Sequence, residues 1–265
     1  MPRNSRDSGA SPLHAIPRHP HAWAWVVLLL HAAVALAWWQ LGWRWGLPLL
    51  LVLHLGFVWG TLRPGSRLFG PVATRFDTAA PEVWLTIDDG PSPDTAAILD
   101  LLDAHGAKAT FFLVGERARA RPDLVRDIAV RGHGIGNHSH THPQARFWAL
   151  GPGAMRREIL DCQQALSAIA GTAPRWFRAV VGHANPFVHA PLREAGLARL
   201  AWSARGYDAV EPDPARITAR IARDLAPGAI VLLHEGAPHG RSVEIIAAVL
   251  GEVQRGGWRV VVPEG

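Results

Sequence analysis

The order of apolar and polar positions divides this chain into two unlike parts. Residues 22–40 contain no Asp, Glu, Lys or Arg, and neither do residues 45–62. Each run approaches the ~20 helical residues needed to cross the hydrocarbon core of a bilayer. The link between them, residues 41–44, is short, so a transmembrane helical hairpin over 22–62 is expected. Trp23, Trp25, Trp38, Trp39, Trp43, Trp45 and Trp59 fall in this region, most of them near the ends of the runs. Amphipathic rings favour that interfacial depth. Gly56 and Gly60 form a GxxxG spacing that suggests close helix packing. A secretory signal peptide would need a shorter apolar region and a small-residue cleavage site, and the second run argues against one.

After Pro81 the pattern changes to short β-branched or apolar runs alternating with amphipathic stretches. Strands are expected at residues 83–87, 109–114, 133–137, 175–180, 199–203, 229–234 and 258–262. Helices are expected at 94–105, 122–131, 155–170, 186–195, 214–224 and 242–255. Asp94 is placed as an N-cap, Pro122 and Pro214 suit first turns, and Gly106, Gly132, Gly171 and Gly196 sit where helices should stop. Strands alternating with helices imply a parallel sheet, either open and doubly wound or curled into a distorted barrel. No GxGxxG follows the first strand and no Walker A pattern occurs, so a nucleotide fold has no direct support. The expected organisation is a basic tail (1–21), the hairpin (22–62), a Pro- and Gly-containing linker (63–80) and a catalytic domain (81–265).

Charge refines the picture. The formal net charge is +5, carried almost entirely by Arg. Outside the N-terminal region the basic residues form no long patch interleaved with aromatics, which favours a membrane partner over nucleic acid. Arg3, Arg6 and Arg18 precede the hairpin, Arg44 lies in its link, and Arg63, Arg67 and Arg75 follow it. The positive-inside rule then puts both ends, and the catalytic domain, in the cytoplasm. A single cysteine, Cys162, excludes an intramolecular disulfide and is expected to be a packed, inert thiol.

Candidate chemistry gathers at strand ends. Asp88 and Asp89 follow the first strand, and His138, His140 and His142 the third. Arg178 lies in the fourth, Asp208 just beyond the fifth, and His234 closes the sixth. In parallel α/β architectures these ends open on one face, where active sites are built. His138 and His142, one helical turn apart, with Asp89 as a hard anionic third donor, match the ligand set of a catalytic zinc site with an open position. Asp88 is the free carboxylate of the tandem pair and fits a general base, and His234 fits a general acid for a departing amine. Arg178 is a partner for Asp88, and Asp208 for His234. His140 points off the ligand face and is peripheral or a substrate contact.

These residues resemble the motifs of NodB-type polysaccharide deacetylases, the carbohydrate esterases of family four. The resemblance spans about residues 82–262. Thr86-Ile-Asp-Asp-Gly90 is similar to TFDDG, His138-Ser-His-Thr-His142 to H[ST]xxH, and Leu232-Leu-His234 to the fifth motif. It implies a distorted (β/α)7 barrel, Asp88 as base, Asp89, His138 and His142 holding Zn or a similar divalent metal, and His234 as acid. Two motifs depart. The third, usually RxPY followed by Gly, reads Arg178-Ala-Val-Val181-Gly182, and in the family its aromatic position gives a backbone N–H to the oxyanion, a role Val181 can still fill. The fourth, usually DxxDW, reads Arg205-Gly-Tyr-Asp208-Ala209. The implied activity is metal-assisted removal of an N-acyl group, N-acetyl in the first instance, from an amino sugar or glycan, with a lipid-linked substrate suggested by the anchor. An O-acyl esterase and a catalytically silent glycan- or lipid-binding membrane protein are the competing readings. Chitin and peptidoglycan do not carry over as substrates, because the substrate-facing residues differ.

Overall fold

The computed structural model describes residues 13–263, so Arg3 and Arg6 lie outside the described residues. The first two helices are α1 (Ala22–Leu41) and α2 (Trp43–Leu62). At 20 residues each, they are about 30 Å long, one hydrocarbon thickness. Only Gly42, in a positive-φ conformation (φ 81°), separates them, so the link is shorter than the expected 41–44 and Arg44 belongs to α2. The half-buried or buried positions are Trp23, Val27, His31, Val34 and Ala37 on α1, and Gly46, Leu50, Leu53, Phe57, Gly60 and, at the end that meets the following domain, Thr61 on α2. Steps of three and four residues make one seam per helix. The other faces leave Leu29, Trp39, Val52 and Leu55 about two-thirds or more exposed. That surface suits hydrocarbon rather than water. The GxxxG expectation is corrected. Gly56 faces open space, Gly60 is pressed against Leu68, and the close helix contact is Gly46 against the Trp38 ring.

The stretch 63–80 is not a free linker. Phe69, Val72 and Phe76 are buried, Ala73 bridges Leu200 and Arg75 bridges Ala229. Its Pro and Gly residues interrupt periodicity without removing the apolar side chains that strap it to the following domain.

That domain alternates β1 (Glu82–Gly90), α3 (Thr95–Ala104), β2 (Thr110–Leu113), α4 (Gly115–Ala120), α5 (Pro122–Val130), β3 (Gly134–Asn137), α6 (Pro152–Ala170) and β4 (Trp176–Phe177). It continues through α7 (His189–Glu194), β5 (Ala198–Arg199), β6 (Ala204–Arg205), α8 (Pro214–Asp224), β7 (Ala229–His234), α9 (Ser242–Arg255) and β8 (Arg259–Val260). All pairings between these strands are parallel, in the order β5-β4-β3-β2-β1-β7-β6, with β8 on the first residues of β1. The expected fifth strand is split. β5 pairs with β4 at one edge and β6 with β7 at the other, so residues 200–203 carry the chain between the sheet's two edges. This makes the distorted (β/α)7 barrel and rules out the open doubly wound sheet.

Side-chain alternation separates two cores. Val83, Leu85 and Ile87 of β1 join Val231 and Leu233 of β7 under the helices. Trp84 and Ile230 face inward with Phe112 and Trp176. The period of two then carries the inner row of β1 from Trp84 through Thr86 to Asp88, and that of β7 from Ile230 through Leu232 to His234. α4 escaped the sequence reading because Glu116-Arg-Ala-Arg119 shows no apolar period. β4 is shorter than the expected 175–180 because the chain leaves the sheet at Arg178. Asp94 does not cap α3 with its side chain, as expected from sequence; its carboxylate accepts the Gly236 N–H (3.1 Å) instead. Pro122 and Pro214 do stand in first turns, and Gly106, Gly132, Gly171 and Gly196 have positive φ after helices.

Candidate active site

Every sequence-predicted site residue converges at the C-terminal ends of the strands. A pocket of about 140 Å³ is lined by Asp88, Asp89, His138, His142, Val181 and His234, among others. On one side, ligand-type atoms of Asp89, His138 and His142 lie within 4.8 Å of one another. Asp89 Oδ1 is 2.9 Å from His142 Nε2 and 3.5 Å from His138 Nε2, yet is a buried oxygen with no hydrogen bond. His138 Nδ1 lies 2.9 Å from the Arg178 carbonyl, which can only accept, so Nδ1 carries the proton and Nε2 offers a lone pair. Nε2 of both imidazoles and the orphaned carboxylate oxygen thus converge on one point, and that donor set suits a divalent cation.

Asp88 sits beside this cluster, its Oδ2 3.7 Å from His138 Nε2. Arg178, fully buried, donates from Nη1 to Asp88 Oδ1 (2.7 Å) and to Thr86 Oγ1 (2.8 Å), and from Nη2 to the Ala201 carbonyl (3.0 Å). Its guanidinium also stacks 4.2 Å from the Phe112 ring centre. Across the pocket, His234 Nδ1 meets Asp208 Oδ1 at 3.0 Å, and the His234 backbone N–H donates to Asp208 Oδ2 at 2.6 Å. Burial lowers the His234 pKa, but the Asp208 carboxylate outweighs it and the imidazole is pushed up to about 9.

The backbone is unusual at the same place. Asp89 (φ 72°), His142 (φ 55°), Val181 (φ 48°) and Tyr207 (φ 66°) line the pocket in the left-handed region. Such residues cost of order 1–3 kcal/mol each and persist where the surroundings over-determine them. Val181 is β-branched, for which the region is least favourable.

The structure sorts the remaining residues. His140 is not among the residues lining this pocket, which fits the peripheral reading: it sits against Gly115, with Nε2 3.4 Å from Arg119. Cys162 is buried, and burial pushes its thiol well up, as expected of an inert thiol. Sequence reasoning missed Glu235, which is 1% exposed and accepts the Ser92 N–H (3.1 Å), the Ser92 hydroxyl (2.7 Å) and the Thr95 hydroxyl. It ties the end of β7 to the turn after Asp89. A polar residue directly after His234 was the available signal. Trp202 and Tyr207 were also missed. Arg205 lies over both rings, 5.2 Å and 4.0 Å from their centres, where the family's fourth motif has its first Asp.

A parallel (β/α)7 barrel with a two-His, one-Asp cluster, a second carboxylate and a carboxylate-bound histidine defines a hydrolase-type site. Residues 76–200 match the polysaccharide deacetylase family. The chain is 37% identical over 166 residues to a chitooligosaccharide deacetylase of Sinorhizobium fredii, covering 62% of this chain and 76% of that protein. It is 33% identical over 184 residues to a peptidoglycan-N-acetylglucosamine deacetylase of Bacillus cereus, covering 68% and 66%. Among solved structures, a peptidoglycan N-acetylglucosamine deacetylase bound to a hydroxybenzamide superposes with a TM-score of 0.66 at 31% identity, covering 72% of this chain and 89% of that one. A family 4 carbohydrate esterase from Streptomyces lividans, in complex with acetate, gives 0.63 at 30% identity, covering 69% and 93%. The chain belongs to the polysaccharide deacetylase family, metal-dependent hydrolases of amide C–N bonds in acetylated sugars.

Proposed function

We propose that this protein is a membrane-anchored amidohydrolase that removes an N-acetyl group from an amino-sugar substrate held at the bilayer surface. The carrying observation is the pocket that brings Asp88, Asp89, His138 and His142 together with a raised-pKa His234. A bound divalent cation, for which the two-imidazole, one-carboxylate set suits Zn, would be held by Asp89, His138 and His142 and supplies Lewis-acid polarisation of the acyl carbonyl. Asp88, oriented by Arg178, accepts the proton of the attacking water. The Val181 backbone N–H is the donor offered to the developing oxyanion. His234, protonated through Asp208 at neutral pH, delivers its proton to the departing nitrogen.

The histidine favours amide over ester. An amine leaves only after protonation, and an imidazole raised to about 9 is charged across the physiological range. A pseudoenzyme from Bacillus anthracis shares the fold with a TM-score of 0.64 at 25% identity. Here each position retains a side chain competent for its assigned role, which supports activity. The anchor reading rests on two 20-residue apolar helices with outward apolar faces. Arg placement supports a cytoplasmic catalytic domain.

The test is acetate release from N-acetylated and O-acetylated glucosamine glycosides by the full-length protein with added Zn. Release from the N-acetyl substrate, abolished in Asp88→Asn with bound metal retained, is expected. Release only from the O-acetyl substrate overturns the amide reading. A reporter at the C-terminus that reads as periplasmic overturns the orientation.

A further inference from the structure

A second pocket, of about 610 Å³, lies where the hairpin meets the barrel. Its walls include Val27 of α1, Phe57, Val58 and Leu62 of α2, Phe69 of the strap and Trp148 of the catalytic domain. It reaches from Leu62 to His54 on α2, about 12 Å along the helix. His31 and His54 lie at its far end, but each Nδ1 meets the carbonyl four residues earlier at 2.8 Å. Their N–H groups are therefore spent within the helices, and they add no free donor to the pocket.

Two chain segments join this apolar pocket to the active site. In the first, His142 and Gln144 line the active site and Trp148 the apolar pocket. In the second, Val181 and Gly182 line the active site, and Asn185 and Pro186 the apolar pocket. The second segment is bound to the anchor. The Ala184 N–H donates to the Thr61 carbonyl (3.0 Å). Buried Arg199 donates to the carbonyls of Pro64 (3.0 Å) and Gly182 (3.2 Å), uniting the end of the hairpin and the active-site loop. The pocket is thus walled by membrane-spanning helices on one side and by extensions of the active-site walls on the other.

We propose that this pocket receives the hydrocarbon chain of a lipid whose head group carries the acetylated amino sugar, so that the substrate is a glycolipid drawn from the bilayer. The inference rests on the deacetylase reading and adds its substrate class. An apolar chain is the matching occupant, because the helices forming the pocket are long and apolar enough to stand in hydrocarbon and two chain segments line both this pocket and the site that would hold the sugar. Burial of remote methylenes then contributes to kcat/KM although they take no part in the chemistry.

The experiment compares octadecyl and methyl N-acetyl-β-glucosaminides with the full-length protein in lipid nanodiscs. Val58→Trp fills the pocket and touches none of the catalytic groups. The expected result is a wild-type preference for the octadecyl glycoside that Val58→Trp lowers by roughly tenfold or more, with methyl glycoside turnover unchanged as the control for folding. Equal kcat/KM of wild type for both glycosides overturns the proposal and leaves the deacetylase reading standing. So does an octadecyl preference that survives Val58→Trp, which would assign the pocket to a resident bilayer lipid or to another copy's hairpin. Failure of wild type on both glycosides counts against the deacetylase reading. Photolabelling with an octadecyl glycoside carrying a chain diazirine then decides the pocket alone. Labelling at Phe57 or Trp148 that is lost in Val58→Trp supports it, and labelling spread along the hairpin overturns it.

Discussion

The two walls of the active-site pocket differ in how they are held. The inner wall holds buried Asp88, His138, Arg178 and Asp208 and part-buried His234, cross-linked by charge-assisted hydrogen bonds. The outer wall, Val181, Tyr207 and Val210, is 43%, 50% and 79% exposed. Its polar member, Arg205, is placed by aromatic faces rather than by a carboxylate. The inner wall keeps the family's chemistry and the outer wall departs from its third and fourth motifs. This contrast teaches that proton and metal chemistry demands fixed geometry, whereas the rim is free to follow the substrate. It also fits the helical hairpin, because the departing loop at Val181–Gly182 is the one tied to the end of α2.

The largest effect should come from the inner wall. Asp89→Ala or His138→Ala is expected to lower kcat/KM by roughly 10³-fold or more and to remove bound metal, measured by elemental analysis and acetate release. Equal metal content and activity in both variants would break the assignment. Arg178→Ala should cost about 3–5 kcal/mol of stability in chemical denaturation, because it leaves buried Asp88 without its counter-ion. A loss confined to activity would instead make Arg178 a positioning group only.

The next effect is a pH limb. Wild-type kcat should fall as pH rises through about 9, where His234 loses its proton. In Asp208→Asn the limb should move toward the ordinary histidine value, near 6.5. The sign for stability is the same. Because the folded-state value is raised, the contribution of the pair is full below about 6.5 and disappears as pH rises through about 9. A limb unmoved in Asp208→Asn would detach His234 from Asp208. The smallest effect belongs to the outer wall. Val181→Gly removes the left-handed strain and should raise stability by about 1 kcal/mol, with kcat/KM changed less than about threefold because the backbone donor remains. A large loss would show that the Val181 side chain itself contacts substrate.

Most of the site was legible because its chemistry is local in sequence. Asp88-Asp89 and His138-Ser-His-Thr-His142 are short segments at strand ends, and alternation alone turns Asp88 and His234 inward. Glu235 was not legible, since its partners Ser92 and Thr95 are 140 or more residues away. The strap over 63–80 was misread because Pro and Gly hide apolar anchors such as Phe69 and Phe76 from any periodic test. Asp94 followed the capping rule in position, but a tertiary donor, the Gly236 N–H, took its carboxylate.

The sequence alone determined the two apolar helices, the alternation of strands and helices and the candidate ligand residues, because each is marked by side-chain period or by its place at a strand end. Only the tertiary structure decided that residues 200–203 carry the chain between the sheet's edges, that Glu235 ties Ser92 and Thr95 to the end of β7, and that the end of α2 holds the active-site loop. Those facts depend on contacts between residues tens to more than a hundred positions apart, which packing brings together and no local pattern records.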